Sequence, residues 1–279
     1  KIRAGAVVVA SGAFEAPLVF AGNDLPGVLL GTAVQRLLHL YGTIPGQRGV
    51  VVTANDTGWA VAADLLAAGV EVGAVVDERT DPPAGADAEA VMAAGVQVLA
   101  GHTIAAARGK GSVAEVTVVP VDGSDGEQRI RCEFVALSTT WIPSAELASM
   151  AGARSRYDDE LAEMRHDELP EGLFLAGRAA GPCTPEQEWT QGTRAGAAAA
   201  GNGSDTAVVD STVQPQPRSS MLVAAPGGDG DKRFVCFCED VTDVDIDTAI
   251  AEGFDRIELL KRYSTIGMGP CQGRMCGLN

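Results

Sequence analysis

Two cysteine pairs near the carboxyl end constrain the fold more than any other feature of this sequence. The first pair, Cys236 and Cys238, has the spacing C-x-C, and the second pair, Cys271 and Cys276, has the spacing C-x4-C. The disulfides of a secreted protein would be spread through a small domain, whereas four of the six cysteines here follow residue 235. We therefore expect cytoplasmic, metal-binding thiols at this end of the chain.

The segment between the two pairs predicts a helix that brings them together at one end. Thr242 can cap the start of this helix, with Asp245 three residues on as the acidic partner. Apolar residues then recur at helical spacing: Ile246, Ala249, Ile250, Phe254 and Ile257. A module of this size has a thin core, so we expect bound metal to supply much of its stability.

Four thiolates are the ligand set of a [2Fe-2S] cluster. Glycines in the stretch 267–270 let backbone N–H groups approach the cluster sulfurs closely. Structural zinc also takes four cysteines, but its usual pairs are spaced C-x2–4-C, which the C-x-C pair fits poorly. The sequence favours Cys236, Cys238, Cys271 and Cys276 as cluster ligands, with structural zinc as the alternative.

The charge of the chain restricts its partners. Lys and Arg number 21 and Asp and Glu number 37, which gives a formal net charge of −16. Such an acidic surface repels phosphate backbones and anionic lipids, so we expect neither nucleic acid nor a membrane as a partner. The chain opens at Lys1 directly into an apolar strand without a signal peptide, so we expect a cytoplasmic protein and a fragment of a longer chain.

Residues 46–140 have the β-α-β pattern of a dinucleotide-binding domain. The run Gly49–Thr53 is continuously apolar, as in a parallel strand that is covered on both faces. Helical spacing follows over 58–68, and the next strand, 70–76, ends at an acidic residue. This order of elements predicts an α/β fold with a parallel sheet.

The turn after the first of these strands departs from the usual glycine-rich fingerprint. Of the pattern G-x-G-x-x-G only Gly58 is kept, because Thr53 and Asn55 replace the first two glycines and the carboxylate of Asp56 would repel a pyrophosphate. Asp77 follows Gly58 by 19 residues, where an acid can accept a hydrogen bond from a ribose hydroxyl. The pattern allows either a dinucleotide site or a dinucleotide fold that is kept for structure alone.

Two stretches carry a specific resemblance: CFCEDVT at 236–242 and KRYSTIGMGPCQGR at 261–274. They resemble the alpha-subunit family of heteromeric sarcosine oxidase, whose wider group includes the FAD-dependent subunits of hydrogen cyanide synthase, opine oxidase and hydroxyproline dehydrogenase. The cluster module of that group is similar to bacterioferritin-associated ferredoxin. The resemblance covers the chain, more weakly at 80–170. It implies a partial, disulfide-reductase-like FAD/NAD(P) dinucleotide-binding fold with a small C-terminal helical [2Fe-2S] module.

The resemblance also implies how the chain is divided into domains. An NAD-type domain is inserted into an FAD-type domain, and a linker then leads to the cluster module. The predicted boundaries are 1–45 for the first FAD-type part, 46–140 for the inserted NAD-type domain, 141–200 for the return to the FAD-type domain, 201–232 for the linker and 233–279 for the module.

Two short segments are the flavin-binding candidates that the resemblance implies. Ser11-Gly12-Ala13 corresponds to the A-T-G turn that lies beside the flavin in disulfide reductases, and Gly177-Arg178 to a Gly-Asp pair whose Asp binds the ribityl chain. Arg178 departs from that pattern. The implied cofactors are a [2Fe-2S] cluster, FAD or FMN, and NAD in the inserted domain.

The sequence contains no recognisable set of catalytic side chains. The histidines at 39, 102 and 166 are scattered through different segments, and His39, which lies among leucines, is expected to pack in the core. In the family that the chain resembles, this absence implies that a flavin-containing beta-type subunit oxidises the C–N bond of a small amino acid such as sarcosine. The alpha-type subunit relays electrons, and small subunits can complete the complex. The alternative is a non-redox assembly subunit with structural zinc and a vestigial nucleotide fold.

Overall fold

The computed structural model describes residues 3–81, 83–158, 163–181, 183–201 and 232–277. The chain divides into two compact units. The first unit comprises Lys1–Phe14 and Trp141–Arg218, and the second unit comprises Glu15–Thr140 and Ser219–Asn279. The predicted domain boundaries divide the chain differently and stay a prediction. The interior of the predicted linker lies outside the described residues.

The strands are short and follow one another closely along the chain. Their bounds are β1 Val7–Val9, β2 Ala13–Ala16, β3 Val28–Leu30, β4 Arg48–Thr53, β5 Glu71–Asp77, β6 Val98–Ala100, β7 His102–Arg108, β8 Glu115–Pro120, β9 Gln128–Arg131, β10 Phe134–Ser138, β11 Thr140–Pro143, β12 Arg154–Asp158, β13 Glu163–Glu168, β14 Leu173–Leu175, β15 Phe234–Cys236 and β16 Val241–Thr242. The α-helices are α1 Gly31–Tyr41, α2 Asp56–Ala67, α3 Ala86–Ala93, α4 Glu146–Met150, α5 Pro185–Ala199, α6 Asp243–Ala251 and α7 Ile257–Ser264.

A parallel sheet with the order β3-β10-β4-β5-β6 forms the centre of the second unit. Val50, Val51 and Val52 on β4 are all fully buried, because both faces of the sheet are covered. Val51 packs with side chains of α1, α2 and α3, whereas Val50 and Val52 pack with those of the antiparallel sheet β7-β8-β9. Each buried valine contributes on the order of 1.5–3 kcal/mol. The predicted α/β fold is confirmed.

The strand register brings three polar positions together at the carboxyl edge of this sheet. Thr53 at the end of β4 lies between Ser138 at the end of β10 and Asp77 at the end of β5. Ligands of open α/β sheets bind at such an edge. Sequence spacing alone predicted two of these positions, Thr53 and Asp77.

One predicted strand is wrong. The sequence predicts a hairpin turn at 122–126 followed by a single strand over 130–137, but β9 and β10 belong to different sheets. The strands differ in burial, since β9 buries only Ile130 whereas all five residues of β10 are buried on both faces of the parallel sheet. Cys132 alternates with Ile130 and Phe134 in the sequence, which predicts a core position, and it is buried at the junction of the two strands. The predicted hairpin turn is confirmed, because β8 and β9 pair antiparallel on either side of it.

The cysteine module contains two helices where the sequence suggested one. Helix α6 ends at Ala251, and Gly253 then takes a φ of +97°, a left-handed conformation that breaks the helix before α7. As a result Ile257 is 65% exposed instead of continuing the apolar stripe. The predicted start is confirmed, because the Thr242 hydroxyl and the Asp245 carboxylate form a capping box.

The first unit pairs β1 with β14 in parallel, so that Val9 lies opposite Leu175. Small apolar residues form its core together with these strands: Val9, Ala145, Ala148, Ala153, Leu173, Leu175 and Ala180. Thr184 caps α5 through a capping box with Gln187. The segments after β1 and β14 therefore emerge at one end of this pair of strands.

Candidate cysteine centre and dinucleotide site

The structure brings the four predicted cysteine ligands together. The Sγ atoms of Cys236 and Cys238 are 3.8 Å apart, and those of Cys238 and Cys271 are 3.5 Å apart. Cys276 interacts with the side chain of Cys236. Two thiolates on one tetrahedral metal with metal–sulfur bonds of about 2.3 Å would be about 3.8 Å apart. The observed separations therefore lie in the range of neighbouring ligands.

The cysteines differ in their exposure to solvent. Cys236 is 1% exposed and Cys276 is 4% exposed, whereas Cys238 and Cys271 are half-buried. In the part of the chain that the structure describes, no three or more His, Cys, Asp or Glu side chains are grouped so that they could hold a metal ion. The structure thus shows neighbouring thiols with one buried and one more accessible side, and it does not itself show a metal centre.

Backbone N–H groups surround the more accessible side. Those of Met275, Gly273 and Arg274 hydrogen-bond the Cys271 thiol and lower its pKa, with Met275 contributing most. Gln272 takes a left-handed φ of +54°, which folds the loop so that these donors converge. Burial has the opposite effect on Cys276 and raises the pKa of its thiol to about 11. The loop is therefore built to stabilise negative charge on sulfur at Cys271.

Gly269 leaves the space that Cys238 occupies. A Cβ atom at Gly269 would lie 2.7 Å from Cys238 Sγ and 2.5 Å from Glu239 Oε1. Real Cβ atoms do not approach other heavy atoms so closely, so the loop needs glycine here for packing. The sequence suggests that these glycines allow close approach of the backbone, and in the structure Gly269 also leaves room for the thiol of Cys238.

The turn after β4 is held by hydrogen bonds to the end of β10. Asn55 Nδ2 donates to Ser138 O over 3.0 Å and to Thr139 O over 3.1 Å. Asn55 Oδ1 accepts from Thr57 N over 3.0 Å and so caps the first turn of α2. The hydroxyl of Thr53 lies 2.8 Å from the same Ser138 oxygen. The residues that replace the usual glycines thus fix the turn through side chains.

Gly58 keeps the packing role of the last glycine in the fingerprint. A Cβ atom at this position would lie 2.3 Å from both Cβ and Oγ1 of Thr53. Helix α2 can therefore approach β4 only because residue 58 is glycine.

Asp77 is fully buried and accepts hydrogen bonds from two residues. Oδ2 accepts from Trp59 Nε1 and from Arg79 Nη2, each over 2.8 Å, and Oδ1 accepts from Arg79 N and Nε over 2.9 and 3.0 Å. A carboxylate has about four lone-pair sites, so these bonds use all of them. Arg79 Nη1 also reaches Asp56 Oδ1 over 2.6 Å. Arg79 therefore links the two acids that the sequence placed in the nucleotide site.

Glu78 is a buried acid that the sequence reasoning missed. It is 3% exposed, its Oε1 accepts from Thr103 Oγ1 over 2.6 Å, and its Oε2 has no hydrogen-bond partner among the described residues. Burial raises its pKa to about 8. Glu78 follows Asp77 directly at the end of β5, so the carboxyl edge holds a second buried carboxyl group, and this one is protonated at neutral pH.

The flavin candidates lie in the first unit, after β1 and β14. The hydroxyl of Ser11 donates to Ser144 O, Gly12 has a φ of +74°, and Ala13 begins β2. Gly177 has a φ of +65°, and its N–H donates to Gln191 Oε1 over 2.9 Å.

Arg178 presents a cation where the resembled flavoproteins have an acid. Its guanidinium carbon lies 4.2 Å from the ring centroid of Trp141, and its Nε lies 3.9 Å from Glu188 Oε1. Trp141 Nε1 is buried and has no hydrogen-bond partner among the described residues. Position 178 thus offers a cation, with Glu188 beside it, where the resemblance implied a carboxylate.

His39 does not pack in the core as the sequence suggested. Its side chain is 63% exposed, and its Nε2 lies 3.0 Å from Asp64 Oδ2. The residue lies on the solvent side of α1, whose buried positions are Gly31 and Val34.

Within the described ranges, no helix combines the length and the apolar character needed to cross a bilayer.

Comparison with known proteins agrees with the motifs at 236–242 and 261–274. Residues 230–279 match the family Sarcosine oxidase A3 domain. Sarcosine oxidase subunit alpha of Rhizobium meliloti (strain 1021) is 34% identical over 283 residues, which cover 100% of this chain and 28% of that protein. The chain resembles sarcosine oxidase alpha subunits along its whole length. It spans less than a third of the length of that alpha subunit.

Solved structures confirm the fold. L-proline dehydrogenase from P. horikoshii superposes with a TM-score of 0.68 at 18% identity, over 97% of this chain and 51% of that one. T. acidophilum thioredoxin reductase gives a TM-score of 0.52 at 16% identity, over 71% of this chain and 64% of that one. At these identities the likeness concerns the fold alone. The chain has a disulfide-reductase-like dinucleotide-binding fold.

Proposed function

We propose that this chain is part of an alpha-type subunit of a heteromeric, flavin-dependent oxidoreductase that acts on C–N bonds of small amino or imino acids. In this proposal it binds a dinucleotide cofactor and relays electrons through a [2Fe-2S] cluster. The observation that carries the proposal is the convergence of Cys236, Cys238, Cys271 and Cys276 within the region that matches the sarcosine oxidase A3 domain.

The residues around these thiols fit an iron–sulfur cluster. Four cysteines are the donor set of a [2Fe-2S] cluster, and hydrogen bonds to the sulfurs tune its potential. The N–H groups around Cys271 supply such hydrogen bonds, and Gly269 leaves room beside Cys238. One-electron transfer is the chemistry that the cluster supplies when bound. Cys236 and Cys276 would hold its buried side, and Cys238 and Cys271 the side that a redox partner can approach.

The proposed dinucleotide site lies at the carboxyl edge of the parallel sheet in the second unit, and the proposed flavin site lies after the paired strands β1 and β14 in the first unit. In the second unit Thr53, Asn55, Asp56, Gly58 and Asp77 meet at the carboxyl edge, where we propose that NAD binds. In the first unit the turn 11–13 and the pair 177–178 follow neighbouring parallel strands, where we propose that part of a flavin site lies. The histidines at 39, 102 and 166 lie in different segments of the chain. As the resemblance implies, the proposal assigns substrate oxidation to a flavin-containing beta-type partner subunit.

Analysis of the purified chain tests the cluster. We expect visible absorbance from sulfide-to-iron charge transfer, with iron and acid-labile sulfide in equal amounts, after anaerobic purification. Cys238→Ser should abolish both signals, whereas Cys132→Ala should keep them because Cys132 is buried at the junction of β9 and β10. Zinc without sulfide would contradict the proposal and would favour the non-redox assembly subunit with a structural zinc site.

Co-purification tests the partner assignment. We expect the full-length protein to co-purify with a flavin-containing oxidase subunit, and the complex to reduce its flavin when sarcosine or a related imino acid is added. Flavin reduction by this subunit alone would contradict the assignment of substrate oxidation to a partner.

A further inference from the structure

Asn23 joins β15, the first strand of the cysteine module, to residues 18–23 of the same compact unit. Its side chain is 3% exposed and pairs with both backbone groups of Phe234: Asn23 Nδ2 donates to Phe234 O over 2.8 Å, and Asn23 Oδ1 accepts from Phe234 N over 2.9 Å. The second N–H of the amide donates to Leu18 O over 3.1 Å. The bond to Leu18 is buried and the two bonds to Phe234 are partly buried, so leaving any of these groups unpaired is costly.

The chain around Asn23 adds two further contacts to the same strand. Gly22 N donates to Lys232 O over 2.9 Å, two residues before Phe234. Val19 is 1% exposed and packs in one apolar cluster with Val235, Cys236 and Cys276. We call residues 18–23 the anchor segment. It holds β15 by hydrogen bonds of Asn23 and Gly22 with the backbone of Phe234 and Lys232 and by apolar packing of Val19.

From this arrangement we infer that Asn23 is the positioning residue of the cysteine centre. Asn23 touches none of the thiols. It fixes the backbone of Phe234, and β15 then places Cys236 two residues further on, where it meets Cys238 and Cys276. The inference rests on the proposed function in so far as the thiols bind metal, but it holds for any metal that the four thiols bind.

Asn23 acts on Cys236 through Phe234 in the way that outer-shell partners act on metal ligands. Such partners orient the ligands, and their loss costs about 10–100-fold in metal affinity. Without the Asn23 amide, the N–H and C=O of Phe234 would lose their partners in a partly buried place, so β15 would shift or loosen until water reached them. Metal binding would then also have to bring the cysteines into position, and the free-energy cost of that ordering lowers the affinity for the metal.

Titration of the metal-free chain with Co²⁺ tests the inference. Thiolate-to-cobalt absorption reports how many thiols bind, and the intensity of the cobalt d–d bands reports tetrahedral geometry. We expect Asn23→Ala to weaken Co²⁺ affinity about tenfold and to reduce the d–d intensity. Gln35→Ala is the matched control, because its carboxamide pairs with Asp64 in the same unit without contacting β15, and it should leave both signals unchanged.

A second variant guards against loss of folding. Val19→Ala removes only apolar contacts of the anchor segment and should shift Co²⁺ affinity in the same direction by a smaller factor. Wild-type affinity in both variants, with near-ultraviolet circular dichroism unchanged, would overturn the inference. Co²⁺ binding that depends on Asn23 in a protein that purifies without iron and sulfide would leave the inference standing and would overturn the proposed cluster.

Discussion

The guanidinium of Arg79 holds the buried carboxylate of Asp77, with Nη2 2.8 Å from Oδ2 and Nε 3.0 Å from Oδ1. Together with Trp59 Nε1 and the N–H of residue 79, these bonds occupy the acceptor sites of Asp77. A ribose hydroxyl that donates to Asp77 must therefore replace one of these N–H groups. This relationship decides how the nucleotide site should respond to substitution.

We expect Asp77→Ala to weaken NAD binding about tenfold, because a charged acceptor of a ribose hydroxyl is lost. Isothermal titration calorimetry on the folded variant measures this. Asp56→Asn should act in the opposite direction and tighten binding, since Asp56 is 76% exposed and its charge repels the pyrophosphate. Unchanged NAD affinity in Asp77→Ala would refute the assignment of this residue.

The second prediction concerns the pH dependence of stability at Glu78. Burial raises the pKa of this carboxyl group from 4.5 to about 8 in the folded protein. Between these two pH values the folded state keeps a proton that the unfolded state has released, so the wild-type free energy of unfolding falls as pH rises through this window. Below about pH 4.5 both states are protonated, and above about pH 8 the effect is constant.

Glu78→Gln should remove this dependence. The amide keeps an acceptor for Thr103 without an ionisable proton, so the variant should be more stable than wild type at pH 8, by an amount on the order of a few kcal/mol, and equal to it near pH 4.5. Urea unfolding at pH 5, 6.5 and 8 measures the difference. Parallel pH profiles for the two proteins would show that Glu78 is ionised in the folded state.

The sequence predicted the centre of the fold well and its polar connections poorly. The runs at Gly49–Thr53 and 70–76 are apolar because both faces of the sheet are buried, so periodicity and composition were sufficient to find β4 and β5. The strands β9 and β10 were merged, because assignment to different sheets depends on long-range pairing that local sequence does not encode.

In the candidate site, too, local patterns could be predicted from the sequence and long-range contacts could not. Spacing was enough to identify the four cysteines and the capping box at Thr242, because both are local patterns. Spacing could not show that Arg79 bridges Asp56 and Asp77, or that Asn23 binds a strand more than two hundred residues away. The position of Arg79 two residues after Asp77 was the available signal, since a cation near the ribose site is a known feature of dinucleotide folds.

The third prediction compares two glycines within helices. Gly58→Ala places a Cβ atom 2.3 Å from Thr53 Oγ1, so α2 must move away from β4, at a cost of about 1–3 kcal/mol in the free energy of unfolding. Gly192→Ala in α5 meets nothing within 4 Å and should stabilise its helix by about 0.4–1 kcal/mol. Chemical denaturation measures whether the free energy of unfolding falls in Gly58→Ala and rises in Gly192→Ala. Equal effects would show that the close approach of α2 to β4 is not required.

The last prediction concerns the space beside Cys238. Gly269→Ala would bring a Cβ atom to 2.7 Å from Cys238 Sγ, and no left-handed φ is needed at this position, so the contact with the thiol and with Glu239 is the whole cost. We expect the variant to fold, to lose at least nine-tenths of its bound iron and sulfide, and to show reduced Co²⁺ affinity. Gly196→Ala, where a Cβ atom meets nothing within 4 Å, is the control and should load as wild type does. Full metal loading in Gly269→Ala would mean that Cys238 can move without losing its role as a ligand, and Gly269 would then serve only the packing of the loop.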